Sequence, residues 1–92
     1  MKHAGPLALD RLEPLLEQLR RHGALKEKSR GCFYLGGKGF LHFHEHGDGE
    51  LYADIGLGED FERLPALTKT QHRAILRRTA QALADGKPPR PR

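Results

Sequence analysis

The sequence predicts an α+β domain in which a three-stranded antiparallel meander is flanked by an N-terminal and a C-terminal helix, in the order α-β-β-β-α. Two observations carry this prediction. The apolar period is close to 3.6 residues near both ends of the chain, and it falls to two residues between positions 32 and 57. Glycine-rich turns at 36–39 and 47–49 divide the middle part into three short segments, as expected of consecutive hairpins.

The first helix is predicted over about residues 10–22. Leucines at positions 12, 15, 16 and 19 have the spacing of a helix with one apolar stripe. Asp10 is a suitable N-cap, and Gly23 is a suitable C-terminal stop. Residues 26–30 (KEKSR) are expected to form a charged connector to the first strand.

The remaining elements follow from short local patterns. Strands are predicted at Cys32–Leu35, Phe40–His46 and Leu51–Leu57. Residues 58–67 are expected to form an irregular connection. Thr68 and Gln71 make the T-x-x-Q capping box that begins a second helix, which Asp85-Gly86 would end. We therefore expect a single domain over residues 1–86 and a disordered, basic, proline-rich tail over residues 87–92.

The second hairpin determines which way three closely spaced histidines point. A three-residue loop at 47–49 gathers the apolar residues on one face, whereas a two-residue loop would set apolar against polar residues. The apolar pairs expected to face the helices are Leu41 with Ile55 and Phe43 with Ala53. The polar pairs expected on the other face, called the outer face, are His42 with Asp54, His44 with Tyr52 and His46 with Glu50.

The register of the first hairpin is less strongly specified. With a three-residue loop, Phe33 opposes Leu41 on the apolar face. The outer face then pairs Cys32 with His42 and Tyr34 with Phe40, whereas a loop of two or four residues inverts these positions. The preferred register predicts an outer binding face of Tyr34, Phe40, His42, His44, Tyr52 and Asp54.

The outer face allows a metal site. Histidines two apart on one strand can converge on one ion, which directs attention to His42 and His44. Asp54 or Cys32 could complete the ligand set, and imidazole, carboxylate and thiolate all suit zinc. The cofactor expectation is accordingly either none or zinc.

Two other interpretations remain open for the same face. Cys32, His42 and Asp54 have the residue types of a thiol nucleophile, its base and an orienting carboxylate, but no nucleophile motif surrounds Cys32, so a non-enzymatic role is favoured. The first-ranked interpretation is a binding or assembly face, because exposed aromatic residues commonly mark interfaces. The expected partner is a second copy of the chain in a homodimer, and single-stranded nucleic acid is the alternative.

Composition limits the surroundings in which the protein is expected to work. The net charge is +4, but residues 41–62 carry seven acidic groups and no Lys or Arg, which disfavours phosphate binding near the second hairpin. The single cysteine excludes an internal disulfide. No segment approaches the roughly 20 apolar residues needed to span a bilayer. We expect a soluble, cytoplasmic protein without a membrane partner.

The chain carries two resemblances to known proteins. The segments FLHFHE, LYADI and DFERL, in that order, resemble a pattern of small uncharacterised bacterial proteins. The predicted order of elements is also loosely similar to that of YjbR-type small α/β domains. Neither resemblance implies an established activity or a set of catalytic residues.

Overall fold

A computed structural model describes residues 2–57 and 60–84, and within these ranges it contains two helices and one six-stranded sheet. The elements in chain order are β1 (Lys2–His3), α1 (Pro6–Leu19), β2 (Leu25–Ser29), β3 (Cys32–Leu35), β4 (Lys38–Glu45), β5 (Leu51–Leu57), β6 (Asp60–Pro65) and α2 (Lys69–Ala84). The strand order is β2-β3-β4-β5-β6 with β1 beside β4, and every pair is antiparallel. The predicted tail at 87–92 lies outside the described residues.

The predicted three-stranded meander is wrong, because the sheet contains three further strands. β2 replaces the expected charged connector, and β6 replaces the expected irregular connection. These two strands form the outer edges of the sheet. Charged side chains are common on edge strands because they prevent pairing with other chains, and they also hide the two-residue apolar period. β1 has only two residues, which is too short to show any period.

Helix α1 begins at Pro6, four residues before the predicted N-cap Asp10, and ends at Leu19. Proline is well suited to the first helical turn because its missing N–H would have no partner there. The N–H of Gly5, the N-cap residue, instead donates to Glu45 Oε2 on β4 at 2.6 Å. The start of the helix is therefore set by a distant strand, which explains why the local capping signal at Asp10 misleads.

The predicted register of the second hairpin is confirmed. β4 and β5 pair Leu41 with Ile55 and His42 with Asp54, and the following pairs keep the same register to Glu45 and Leu51. The N–H of His46 donates to the Glu50 carbonyl at 2.8 Å, which closes the three-residue loop. The apolar face of this hairpin is fully buried, so any slip would expose it.

The first hairpin confirms one predicted pair and corrects another. Phe33 opposes Leu41 as expected, but Tyr34 opposes Gly39 because the register shifts between the two pairs. Phe40 is the extra residue at this irregularity, and it is 1% exposed within the hydrophobic core. Its predicted place on the outer binding face is therefore wrong.

Both helices cover the face of the sheet opposite the histidines, and the hydrophobic core lies between the helices and this face. Four leucines of α1 and Ile75 of α2 are almost completely buried with the apolar residues of β3, β4 and β5. The predicted capping box of α2 is confirmed, since Gln71 N–H donates to Thr68 Oγ1 and Thr68 N–H donates to Gln71 Oε1. Neither helix within the described ranges combines the length and apolar character needed to cross a membrane.

Candidate metal centre

Three histidines from two strands meet on the outer face. His3 on β1 opposes His44 on β4, and His42 lies two residues before His44 on the same strand. Each of the three rings offers a nitrogen, and these three nitrogens lie within 4.8 Å of one another. The ring centroids are 4.7 Å apart for His3 and His44, and 5.0 Å apart for His42 and His44. The cluster thus includes two predicted ligands and one residue that the sequence did not single out.

Backbone contacts with β4 place His3 in the cluster. The N–H of Ala4 donates to the Phe43 carbonyl at 3.1 Å, directly after the β1–β4 pair. Gly5, the residue after Ala4, is held to β4 by the hydrogen bond from its N–H to Glu45. β3 pairs with the first part of β4, and β1 pairs with the last part of β4 along the same edge. The side chain of His3 therefore reaches the outer face.

Asp54 supports the cluster from β5 instead of joining it. Asp54 is 5% exposed, and its carboxylate accepts hydrogen bonds from Arg63 Nε and Nη2, each at 2.8 Å. This paired geometry holds the pKa of Asp54 below its ordinary value. One carboxylate oxygen also lies 3.0 Å from His44 Nδ1, although the two groups are not aligned for a good hydrogen bond.

The environment favours neutral imidazoles at two of the three positions. Burial lowers the pKa of His42, and the neighbouring His44 lowers it further. Burial is also the main reason that the pKa of His44 is lowered, although the negative Asp54 acts in the opposite direction. A neutral imidazole keeps the lone pair that a metal ion requires, so both side chains are suited to be ligands near pH 7.

One buried ring nitrogen lacks the partner that buried polar atoms normally have. His42 Nδ1 is buried and has no hydrogen bond within residues 2–57 and 60–84, whereas His44 Nδ1 lies 3.0 Å from the Asp54 carboxylate. Most buried polar atoms in proteins are paired, and an unpaired one points to an ion or a water molecule.

The other predicted site residues lie close to the cluster but outside it. Cys32 is half-buried, and it is not among the three grouped ligands. The ring of Tyr34 lies under Lys28 Nζ at 4.6 Å, and the ring of Tyr52 is 6.0 Å from the Arg63 guanidinium carbon. Across the described part of the chain, no hydrogen bond or ion pair joins Cys32 to His42.

His46, the third histidine of the HxHxH pattern, does not take part. Its side chain is 57% exposed, and its Nδ1 lies 3.2 Å from Asp48 Oδ1 in the turn. The structure thus separates the histidine pattern into two residues of the cluster and one solvated residue.

Comparison of the chain with protein-family models, curated proteins and solved structures gives no match. The resemblance to small bacterial proteins and to YjbR-type domains stays a prediction. The case for a functional site rests on the geometry of the outer face.

Proposed function

We propose that the protein is a metal-binding module that holds a zinc-type divalent ion through His3, His42 and His44. The observation that carries the proposal is the convergence of three imidazole nitrogens within 4.8 Å. A tetrahedral zinc ion with bonds of about 2.0–2.1 Å would need nitrogens about 3.4 Å apart. His3 is exposed on a two-residue strand, so a modest movement of its ring can shorten the distances between the three nitrogens to this value.

The surroundings of the cluster supply the support that metal-bound histidines usually have. A ligating histidine commonly directs its second ring nitrogen towards a carboxylate, which fixes the orientation of the ring. Asp54 occupies that place beside His44 Nδ1, and Arg63 fixes the carboxylate in turn. We therefore assign Asp54 a supporting role instead of the ligand role that the sequence suggested.

Equilibrium dialysis of untagged protein against zinc, followed by elemental analysis, tests this proposal. We expect about one zinc ion per chain, because the cluster offers one set of three ligands. His46→Ala is the matched control, since it removes a histidine of the same sequence pattern that lies outside the cluster. Zinc at background level in the unsubstituted protein would end the proposal.

Asp54→Asn is expected to weaken zinc binding by about 10–100-fold, the usual cost of losing a partner of a ligating histidine. The amide keeps the shape of the side chain but loses the negative charge that faces His44 and Arg63. Isothermal titration calorimetry measures the change. Asp48→Asn makes the same substitution next to the solvated His46 and should leave affinity unchanged. Equal effects of the two substitutions would contradict the supporting role.

The homodimer and the nucleic-acid partner remain predictions. The outer face on which both depend is the face that carries the proposed metal site. A metal-binding role is compatible with the predicted non-enzymatic module, since it requires no nucleophile.

A further inference from the structure

A cavity of about 380 Å³ opens directly beside the histidine cluster, with His3 and His42 in its wall. Volumes of a few hundred Å³ are typical of sites for small molecules. The cavity lies beside β4, near the point where the neighbouring strand on that edge changes from β3 to β1. It is therefore bounded by strands instead of loops. An ion held by the cluster would therefore border a preformed space.

Three protein ligands leave a zinc ion incompletely coordinated. Zinc in proteins is commonly four-coordinate, and sites with three protein ligands keep a position for water or substrate. Within the described residues, neither Cys32 nor Asp54 belongs to the ligand group formed by His3, His42 and His44. Asp54 is held by Arg63 through both of its oxygens. The fourth position is thus available to a molecule from solution.

The charge of the site favours an anion in that position. Three neutral imidazoles leave the double positive charge of the ion uncompensated, and a bound cation is often the largest local charge in a site. Asp54, the carboxylate beside His44, is already paired with Arg63. A negatively charged ligand atom would therefore meet an attractive field.

The far wall of the cavity is mainly apolar and aromatic. Phe61 and Tyr34 line it, and Cys32 adds a weakly polar thiol. The Phe61 ring lies 5.1 Å from the His42 ring, and its strand partner Gly56 has no side chain to separate them. A ligand that fills this space would place an apolar body against these rings.

From these features we propose that the cavity binds a small organic monoanion with an apolar body, such as an aromatic carboxylate, whose negative oxygen takes the open position on the ion. This inference rests on the proposed metal site. It adds the class of ligand and places its body against Tyr34 and Phe61. Orientation by a few polar contacts within an apolar pocket is the usual design of small-molecule sites.

Gly39 provides a way to test the cavity without altering a ligand. It lines the cavity opposite Tyr34, and a Cβ built on it meets no atom within 4 Å. Gly39 stands next to the register shift of the first hairpin, and glycine within a strand often marks such an irregularity or a position that a ligand approaches closely. Gly39→Val should therefore put a side chain into the space where the body of the anion would lie, at a position where a β-branched residue suits the strand.

The experiment uses the full chain loaded with Co²⁺, whose visible absorption reports changes in its ligands, and titrates it separately with azide, acetate and benzoate. We expect all three anions to change the spectrum, and benzoate to bind about 10-fold more tightly than acetate because its ring enters the cavity. Gly39→Val should weaken benzoate binding by about 10-fold and leave azide binding unchanged. Phe61→Leu, which removes an aromatic wall, should also weaken benzoate more than azide.

The outcomes separate this inference from the metal site itself. If Co²⁺ binds but no anion changes its spectrum, the open position is absent and the inference fails while the metal site stands. If benzoate binds no better than acetate, or if both substitutions weaken azide and benzoate equally, the cavity does not hold the anion. If Co²⁺ does not bind, both proposals fail.

Discussion

His3→Ala is expected to weaken zinc binding by about 100-fold. Structural zinc sites with four ligands have apparent binding free energies of about 10–16 kcal/mol, so one ligand contributes about 3 kcal/mol. Each 1.4 kcal/mol corresponds to about tenfold in affinity. Competition with a chromophoric chelator measures the change over this range. Lys2→Ala is the matched control, because Lys2 is the exposed neighbour of His3 on β1.

The same experiment distinguishes two ligand sets. The sequence suggested His42 and His44 with Asp54, whereas the structure groups the two histidines with His3. A loss of less than about threefold on His3→Ala would mean that the ion does not depend on β1. That result would contradict the proposed three-histidine site.

Leu41→Ala is expected to lower the free energy of unfolding by about 2–5 kcal/mol, the usual cost of truncating a buried leucine. Leu41 is fully buried, and it lies between Phe33 on β3 and Ile55 on β5. Small domains have free energies of unfolding of only about 5–15 kcal/mol, so this loss would remove a large part of the total stability. Urea denaturation followed by circular dichroism measures it.

Leu7→Ala is the matched control for the core. Leu7 lies in the first turn of α1 and is 80% exposed, so the same substitution there should change stability by less than about 0.5 kcal/mol. Equal losses at the two positions would contradict the assignment of Leu41 to the core. They would also remove the reason for the register that places His42 on the outer face.

The second hairpin could be predicted from the sequence because burial specifies its register. Apolar residues alternate on both strands, and only one loop length places Leu41 opposite Ile55. That register also placed His42 and His44 on the outer face and Asp54 beside them. The central part of the site therefore followed from a strong local pattern.

The edges of the sheet could not be predicted in the same way. β2 and β6 have charged residues at positions where a central strand would have apolar ones. Their pairing depends on backbone hydrogen bonds to a neighbouring strand, which leave little trace in an apolar pattern. Arg63 on β6, which fixes Asp54, was missed for this reason.

Two details of the site depend on contacts between distant parts of the chain. His3 reaches the cluster because the segment after it is bound to Phe43 and Glu45, about 40 residues away. Phe40 enters the core because the register of the first hairpin shifts by one residue. A two-residue strand and a single extra residue are both too short to alter the period of the sequence.

X-ray absorption at the zinc edge of the zinc-loaded protein tests the central claim most directly, because it reports which atoms bind the ion and at what distance. The account predicts about three imidazole nitrogens at about 2.0–2.1 Å, completed by an oxygen from water and without sulfur. His46→Ala should give the same spectrum, because His46 flanks the turn and contacts Asp48. A sulfur neighbour at about 2.3 Å, which only Cys32 or Met1 could supply within one chain, or a shell of oxygen atoms alone would contradict the three-histidine site.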